Sequence, residues 1–133
     1  MIQGEGARDG QTRCILLVDD DDDSRLIYRT YLAKDGHEVV TVGDGAAVLR
    51  VASIIGPTVI LLDIALPTLD GIAILKRIRC HPGLRATPVI ALTGRAMTHE
   101  QHRLREAGFD EVLLKPIEPA AVVAAVQRHL DGH

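Results

Sequence analysis

The sequence is poor in aromatic residues, with one phenylalanine, two tyrosines and no tryptophan among 133 residues. Proteins that bind single-stranded nucleic acid stack bases on aromatic side chains, so this composition does not favour that function. The net charge is −3 at pH 7. The basic surface that DNA and RNA binding requires is therefore missing, and we expect no nucleic acid partner.

Long apolar runs and a cysteine framework are also missing. Apolar stretches such as 59–62 and 120–126 are far too short to cross a bilayer, so we expect no membrane association. Residues 1–12 are polar and glycine-rich without the apolar core of a signal peptide, and we interpret them as a flexible tail. Cys14 and Cys80 have no metal-ligand spacing. We expect both to be buried or half-buried thiols in a reducing cytoplasm.

Five short apolar segments alternate with five segments of helical spacing. The apolar segments are continuous, which is typical of strands buried on both faces of a parallel sheet. The predicted strands are 14–18, 38–42, 58–62, 88–92 and 111–114. The predicted helices are 24–34, 44–55, a segment starting after Gly71, 98–107 and a segment starting near Pro119. This alternation predicts βαβ crossovers and a doubly wound α/β fold.

The predicted fourth helix has a narrow apolar face. Charged and polar residues fill most of it, so that only Met97, Leu104 and Ala107 can anchor it to a core. A weakly anchored helix belongs to the low-stability end of a domain and can shift at small cost. An ordinary solvated helix is an equally good interpretation, and the pattern leaves both open.

Polar side chains follow four of the predicted strands. Asp19 and Asp20 follow the first, Asp63 the third, Thr93 the fourth and Lys115 the fifth. In open α/β sheets, ligands bind beyond the carboxyl ends of the strands. Three carboxylates, a hydroxyl and an ammonium are therefore predicted to converge on one rim.

The convergence of three carboxylates has a chemical consequence. Like charges a few ångströms apart repel each other unless a cation neutralises them, and hard oxygen ligands with open coordination positions suit Mg²⁺. Asp63 could then attack a phosphoryl group to form an acyl phosphate. Lys115 and Thr93 would cover the oxygens that carry the charge. We interpret the aspartates 21–23 as a solvated helix start that supplies a cap.

The residues at the strand ends belong to four motifs. They are 15–21 (ILLVDDD), 61–67 (LLDIALP) with Asp70-Gly71 beyond it, 88–94 (PVIALTG) and 113–116 (LLKP). Together they resemble the CheY-like receiver domain of two-component response regulators, over residues 13–131. The resemblance implies a flavodoxin-like (βα)5 sheet with strand order 2-1-3-4-5. It also implies a stand-alone receiver without an output domain.

The resemblance implies a role for each acidic residue of the rim. Asp63 would be the phosphoacceptor, supplied by a phosphohistidine on a sensor kinase or phosphotransfer protein. Mg²⁺ would be bound by Asp20 directly, by Asp19 partly through water, by Asp63 and by the backbone carbonyl of Ala65. The chain would then be a signalling domain rather than an enzyme, a monomer or weak dimer whose downstream partner is another protein.

The resemblance also implies roles for the fourth and fifth strand ends. Thr93 and Lys115 would bind the phosphoryl oxygens, and the peptide bond between Lys115 and Pro116 would be cis, as X–Pro bonds permit. Ala65 and Arg95 flank the site and would tune hydrolysis of the acyl phosphate. Small Ala65 leaves room for water whereas Arg95 would shield the phosphoryl group, so no lifetime is assigned.

One position departs from the family pattern. Receivers usually carry Tyr or Phe three residues before the lysine, and this chain has Val112 there. Phe109 lies three residues earlier and need not replace the missing ring. We therefore expect a muted or different rearrangement of the face formed by the fourth helix, fifth strand and fifth helix.

Two other functions compete with this interpretation. A phosphohydrolase would use Asp19 as nucleophile and Asp21 as acid or base, but such enzymes need a cap or a longer core than this chain has. A receiver-shaped scaffold would bind its partner irrespective of phosphorylation. A helical histidine phosphotransfer protein is excluded by the five predicted strands, and the six histidines, including His99 and His102, are interpreted as surface residues.

Overall fold

The computed structural model describes residues 13–66, 70–94 and 97–131. The predicted tail at 1–12 and Arg95, with its expected effect on hydrolysis, lie outside the described residues. Within the described part of the chain, no helix is long and apolar enough to cross a membrane.

The described residues form one parallel sheet of five strands in the order β2-β1-β3-β4-β5, which confirms the predicted fold. The strands are β1 (Cys14–Val18), β2 (Glu38–Val42), β3 (Val59–Asp63), β4 (Val89–Thr93) and β5 (Glu111–Leu114). The third and fourth strands lie one residue later than predicted. Asp63 pairs with Leu92, and Thr93 pairs with Leu114. Asp63 and Thr93 are therefore the last paired residues of their strands and not loop residues.

Five α-helices connect the strands in the described part of the chain. They are α1 (Asp22–Lys34), α2 (Val48–Ile55), α3 (Gly71–Cys80), α4 (Thr98–Ala107) and α5 (Pro119–Asp131). The first helix starts before residue 24 because Asp21 accepts a hydrogen bond from the Ser24 N–H and caps it. The second starts later than predicted because Asp44 caps a short 3-10 turn, Gly45–Ala47, that precedes it.

The helices cover both faces of the sheet, and the sheet separates the hydrophobic core into two layers. Strand β3 is buried at every position, and alternate residues of each central strand point to opposite sides. On one side, Leu16 and Val18 pack with α2, α3 and α4. On the other side, Ile15 and Leu17 pack with α1 and α5. The continuous apolar strands of the sequence are thus explained by burial from both faces.

The fourth helix is anchored by fewer residues than expected. Leu104 is fully buried and Ala107 packs against the core. The side chain of Met97 is 63% exposed, so the expectation that it anchors the helix is wrong. Met97 precedes the helix in an extended conformation, which turns its side chain away from the apolar stripe.

The expected burial of one thiol and the expected exposure of one histidine are also wrong. Cys80 is exposed, whereas Cys14 is half-buried as expected. Cys80 follows Ile78 by two residues, which is about 200° around the helix from the buried stripe.

His37 is buried, because the left-handed turn at Gly36 (φ +96°) folds the chain back onto the end of α1. There the His37 N–H donates to the Leu32 carbonyl.

Arg79, near the end of α3, connects the two loops that precede β4 and β5 at the amino-terminal edge of the sheet. One nitrogen of its guanidinium donates to the carbonyls of Arg85 and Thr87 at 3.2 and 2.7 Å. The other donates to the Gly108 carbonyl at 3.1 Å and to Asp110 Oδ2 at 2.9 Å. Asp110 Oδ2 also accepts the Val89 N–H at the start of β4 (2.8 Å).

We predict that Arg79→Gln lowers the free energy of unfolding by about 1.5–3 kcal/mol, the usual worth of hydrogen bonds to a charged group. Urea denaturation measures this change. The matched control is Arg77→Gln, an exposed arginine of the same helix, which should shift stability by no more than about 0.5 kcal/mol. Equal effects of the two substitutions would show that Arg79 contributes only surface charge.

Candidate functional site

Three carboxylates meet at the carboxyl end of the sheet. Val18 pairs with Leu62, so the residues that follow the pair, Asp19 and Asp63, lie side by side. Together with Asp20 they bring carboxylate oxygens within 4.8 Å of one another. Asp19 and Asp63 are buried, and Asp20 is exposed. A buried acidic cluster with one open side fits a hard divalent cation such as Mg²⁺.

Lys115 lies opposite the buried carboxylates. Its Nζ is 2.9 Å from Asp63 Oδ2 and 3.4 Å from Asp19 Oδ2. Its backbone N–H donates to the Thr93 carbonyl at 2.8 Å, which continues the β4–β5 pairing beyond the strand. The peptide bond to Pro116 is cis, as the sequence predicted. Burial lowers the pKa of Lys115, but the hydrogen bond and charge of Asp63, with the charge of Asp19, outweigh burial and raise it.

The groups around Asp19 compensate its negative charge only in part. Burial raises the pKa of this carboxyl, and the charge of Asp63 raises it further. The Asp21 N–H, which donates to Asp19 Oδ1 at 2.9 Å, and the ammonium of Lys115 oppose this rise without cancelling it. The pKa therefore remains above its ordinary value, so a cation bound here would stabilise the ionised form.

The Asp63 carboxylate is held from two directions. Oδ1 accepts the Ala65 N–H at 3.0 Å, and Oδ2 accepts from Lys115. Thr93, the last residue of β4, is buried in the neighbouring strand. A cleft of about 380 Å³ adjoins these groups, lined by Ile64, Ala65, Asp70, Thr93, Gly94, Glu100 and Arg103. A reacting group can therefore approach the rim beside Asp63 from solvent.

The structure brings together all the residues predicted for the rim, and it adds others that the sequence did not indicate. Glu100 and Arg103 of α4 form an ion pair in the wall of the cleft (3.1 Å). Arg25 of α1 donates to the backbone carbonyl of Asp19. Arg25 lies six residues after Asp19, which places it near the start of α1, but spacing alone does not show which way a long side chain turns. Asp70 caps α3 by accepting the Ile72 N–H, a role that an aspartate directly before a predicted helix could have indicated.

The fold and the rim together define a doubly wound α/β domain with an acidic, lysine-containing pocket at the carboxyl ends of its strands. Comparison with protein families matches residues 15–127 to the response regulator receiver domain. The match covers most of the chain. The protein therefore belongs to the response regulator receiver domain family and is a phosphoacceptor signalling domain of the two-component type.

Individual relatives agree with this assignment. The polar-differentiation response regulator DivK of Brucella ovis is 29% identical over 119 residues, which are 90% of this chain and 97% of DivK. The structure of the chemotaxis response regulator CheY4 of Vibrio cholerae superposes with a TM-score of 0.84 at 27% identity, covering 90% of this chain and 99% of CheY4. A putative response regulator from Chloroflexus aurantiacus gives a TM-score of 0.84 at 30% identity, covering 91% and 99%.

We predict that Asp19→Asn stabilises the metal-free protein at pH 7 by about 0.5–2 kcal/mol, the range of typical stabilising substitutions. A raised pKa in the folded state means that wild-type stability falls as pH rises from the ordinary carboxyl value of 3.8 through the raised value. The variant avoids this loss, so the difference should disappear at low pH. Urea denaturation in chelator at several pH values measures it.

The matched control is Asp23→Asn in the first turn of α1. It should lower stability slightly, because the helix dipole favours a negative charge there. A destabilised Asp19→Asn variant at pH 7 would contradict the electrostatic interpretation.

Proposed function

We propose that Asp63 is the phosphoacceptor of this receiver and that Asp19, Asp20, Asp63 and the Ala65 backbone carbonyl hold Mg²⁺. The observation that carries the proposal is the position of the Asp63 carboxylate. It is buried in the acidic cluster, where one oxygen accepts a hydrogen bond from the Ala65 N–H and the other accepts one from the Lys115 ammonium. Its orientation is fixed before the donor arrives, and pre-organisation of this kind is what in-line phosphoryl transfer requires.

In the proposed reaction an Asp63 oxygen attacks the phosphorus of a phosphohistidine. One O–P bond forms and the N–P bond breaks, and the donor histidine retains a proton on its ring. Bound Mg²⁺ would neutralise negative charge on the carboxylates and the phosphoryl oxygens. The ammonium of Lys115, already 2.9 Å from Asp63, and the Thr93 hydroxyl then stabilise the transferred group.

Membership of the receiver family indicates the class of partner, because receiver domains interact with kinases or phosphotransfer proteins. We propose that such a protein supplies the phosphoryl group in the cytoplasm and that residues 13–131 form the receiver unit. The unit would act as a monomer or weak dimer and pass its signal by protein–protein contact. This role is that of a signalling domain, with no substrate turnover of its own beyond loss of the phosphoryl group.

We predict that incubation with acetyl phosphate and Mg²⁺ adds one phosphoryl group to the wild type and none to Asp63→Asn, as measured by intact mass. Chelation of the metal should suppress the modification. The matched control is Asp23→Asn, an exposed aspartate in the first turn of α1, which should be modified like the wild type. Full modification of Asp63→Asn would disprove the assignment. Turnover of a phosphoester that is lost in Asp19→Asn but kept in Asp63→Asn would indicate the phosphohydrolase instead.

The way in which phosphorylation is read out depends on Val112. Val112 is 8% exposed and belongs to the same hydrophobic core as Leu104 of α4 and the buried Phe109. Neither residue presents an exposed ring that could swing inward when Thr93 shifts toward a phosphoryl group. We therefore propose a smaller rearrangement of the α4–β5–α5 face than an aromatic at this position would produce.

We predict that addition of beryllofluoride, a phosphoryl mimic, changes amide chemical shifts mainly around Asp63, Thr93 and Lys115. Shifts across α4, β5 and α5 should be small in the wild type and larger in Val112→Tyr, measured by two-dimensional NMR. Large changes over that whole face in the wild type would contradict the prediction. Equal partner affinity with and without the mimic would favour the phosphorylation-independent scaffold.

A further inference from the structure

Arg25 on α1 reaches back to the end of β1. Its Nη1 donates to the backbone carbonyl of Asp19 at 2.7 Å, and its Nη2 pairs with Asp22. The Arg25 side chain is only 23% exposed, although it starts from the solvated end of the helix. The guanidinium therefore lies against the backbone beside the acidic cluster instead of extending into water.

The carbonyl that Arg25 binds belongs to the peptide that joins Asp19 to Asp20. Because a peptide unit is planar, holding this oxygen restricts where the Asp20 Cα can lie. The other polar groups of Asp19 are held as well. Its N–H donates to the Val42 carbonyl at 3.1 Å, and its Oδ1 accepts the Asp21 N–H. Asp20 itself is exposed, so its position depends largely on this backbone.

Gly43, directly after β2, provides the space in which the guanidinium lies. A Cβ at this position would be 2.6 Å from Arg25 Nη1 and 3.3 Å from its Cζ. The backbone of Gly43 is not in the left-handed region, so glycine matters here because it leaves room for the guanidinium and not because of its conformation. An added methyl group would thus displace the guanidinium without straining its own backbone.

We propose that Arg25, seated against Gly43, is a positioning residue for the metal site. It orients the Asp19–Asp20 peptide so that the Asp20 carboxylate joins the acidic cluster. This inference rests on the proposed function, in which Asp20 binds Mg²⁺. Residues that orient metal ligands from outside typically change metal affinity by about 10–100-fold when they are substituted.

The direction in which the Mg²⁺ affinity changes distinguishes a positioning role of Arg25 from a purely electrostatic one. A guanidinium beside an acidic pocket repels a cation, so removing its charge would tighten Mg²⁺ binding if charge were its only influence. Removing a positioning contact would weaken binding. The two explanations therefore predict opposite changes for Arg25→Gln.

The experiment is a calorimetric titration of the unphosphorylated 133-residue protein with Mg²⁺. Arg25→Gln should bind Mg²⁺ about tenfold or more weakly than the wild type. Gly43→Ala should weaken binding similarly, and the double variant should be no weaker than Arg25→Gln, since both act through one contact. Arg29→Gln, an exposed arginine one turn along α1, is the matched control and should not weaken binding.

The acetyl phosphate reaction gives a second readout. Saturating Mg²⁺ should restore the phosphorylation rate of Arg25→Gln toward that of the wild type, whereas a damaged reaction centre would stay slow at every concentration. If circular dichroism shows that Arg25→Gln does not fold, the Mg²⁺ affinity of Gly43→Ala alone tests the inference. Unchanged or tighter Mg²⁺ binding by the folded variants would overturn the inference. A wild type that bound no Mg²⁺ would instead overturn the proposed function.

Discussion

The negative charge shared by Asp19, Asp20 and Asp63 is the constraint on which the rest of the site depends. Two of the three carboxylates are buried, and burial raises the pKa of the Asp19 carboxyl. The Lys115 ammonium compensates part of this charge, yet the pKa of Asp19 stays raised. An incompletely neutralised pocket costs the metal-free fold some stability and gives a divalent cation a place to bind. The features that weaken the metal-free fold would therefore favour the binding of a divalent cation at this site.

The sheet topology creates this charge cluster. The order β2-β1-β3-β4-β5 makes β1 and β3 neighbours, although α1, β2 and α2 separate them along the chain. Parallel pairing then aligns their carboxyl ends, so Asp19 and Asp63 meet without any distortion of the strands. Thr93 ends the next strand, and Lys115 reaches over from the edge strand β5. Side-chain packing on both faces keeps this register, because a slip of one residue would move every side chain to the opposite face, where its neighbours are shaped for a different residue.

The region that would carry the signal is built differently from the site. Leu104 and Ala107 anchor α4, whereas Met97 at its start is exposed. Val112 beneath it is already buried, and this burial is the basis of the smaller rearrangement proposed for the α4–β5–α5 face. In the proposed function, the chemistry therefore depends on the strand ends, whereas the readout depends on the packing of α4.

The sequence by itself determined the fold class and the polar residues of the rim, because strand ends and apolar periodicity are local properties of the chain. The strand order was expected only from the resemblance to the receiver family. Only the tertiary structure decided that Arg25 binds the Asp19 carbonyl, that Arg79 joins Asp110 across 31 residues, and that His37 is buried. These contacts depend on how loops and helix ends are placed in space. A long charged side chain can turn toward solvent or toward the backbone from the same position, and no pattern along the chain distinguishes the two.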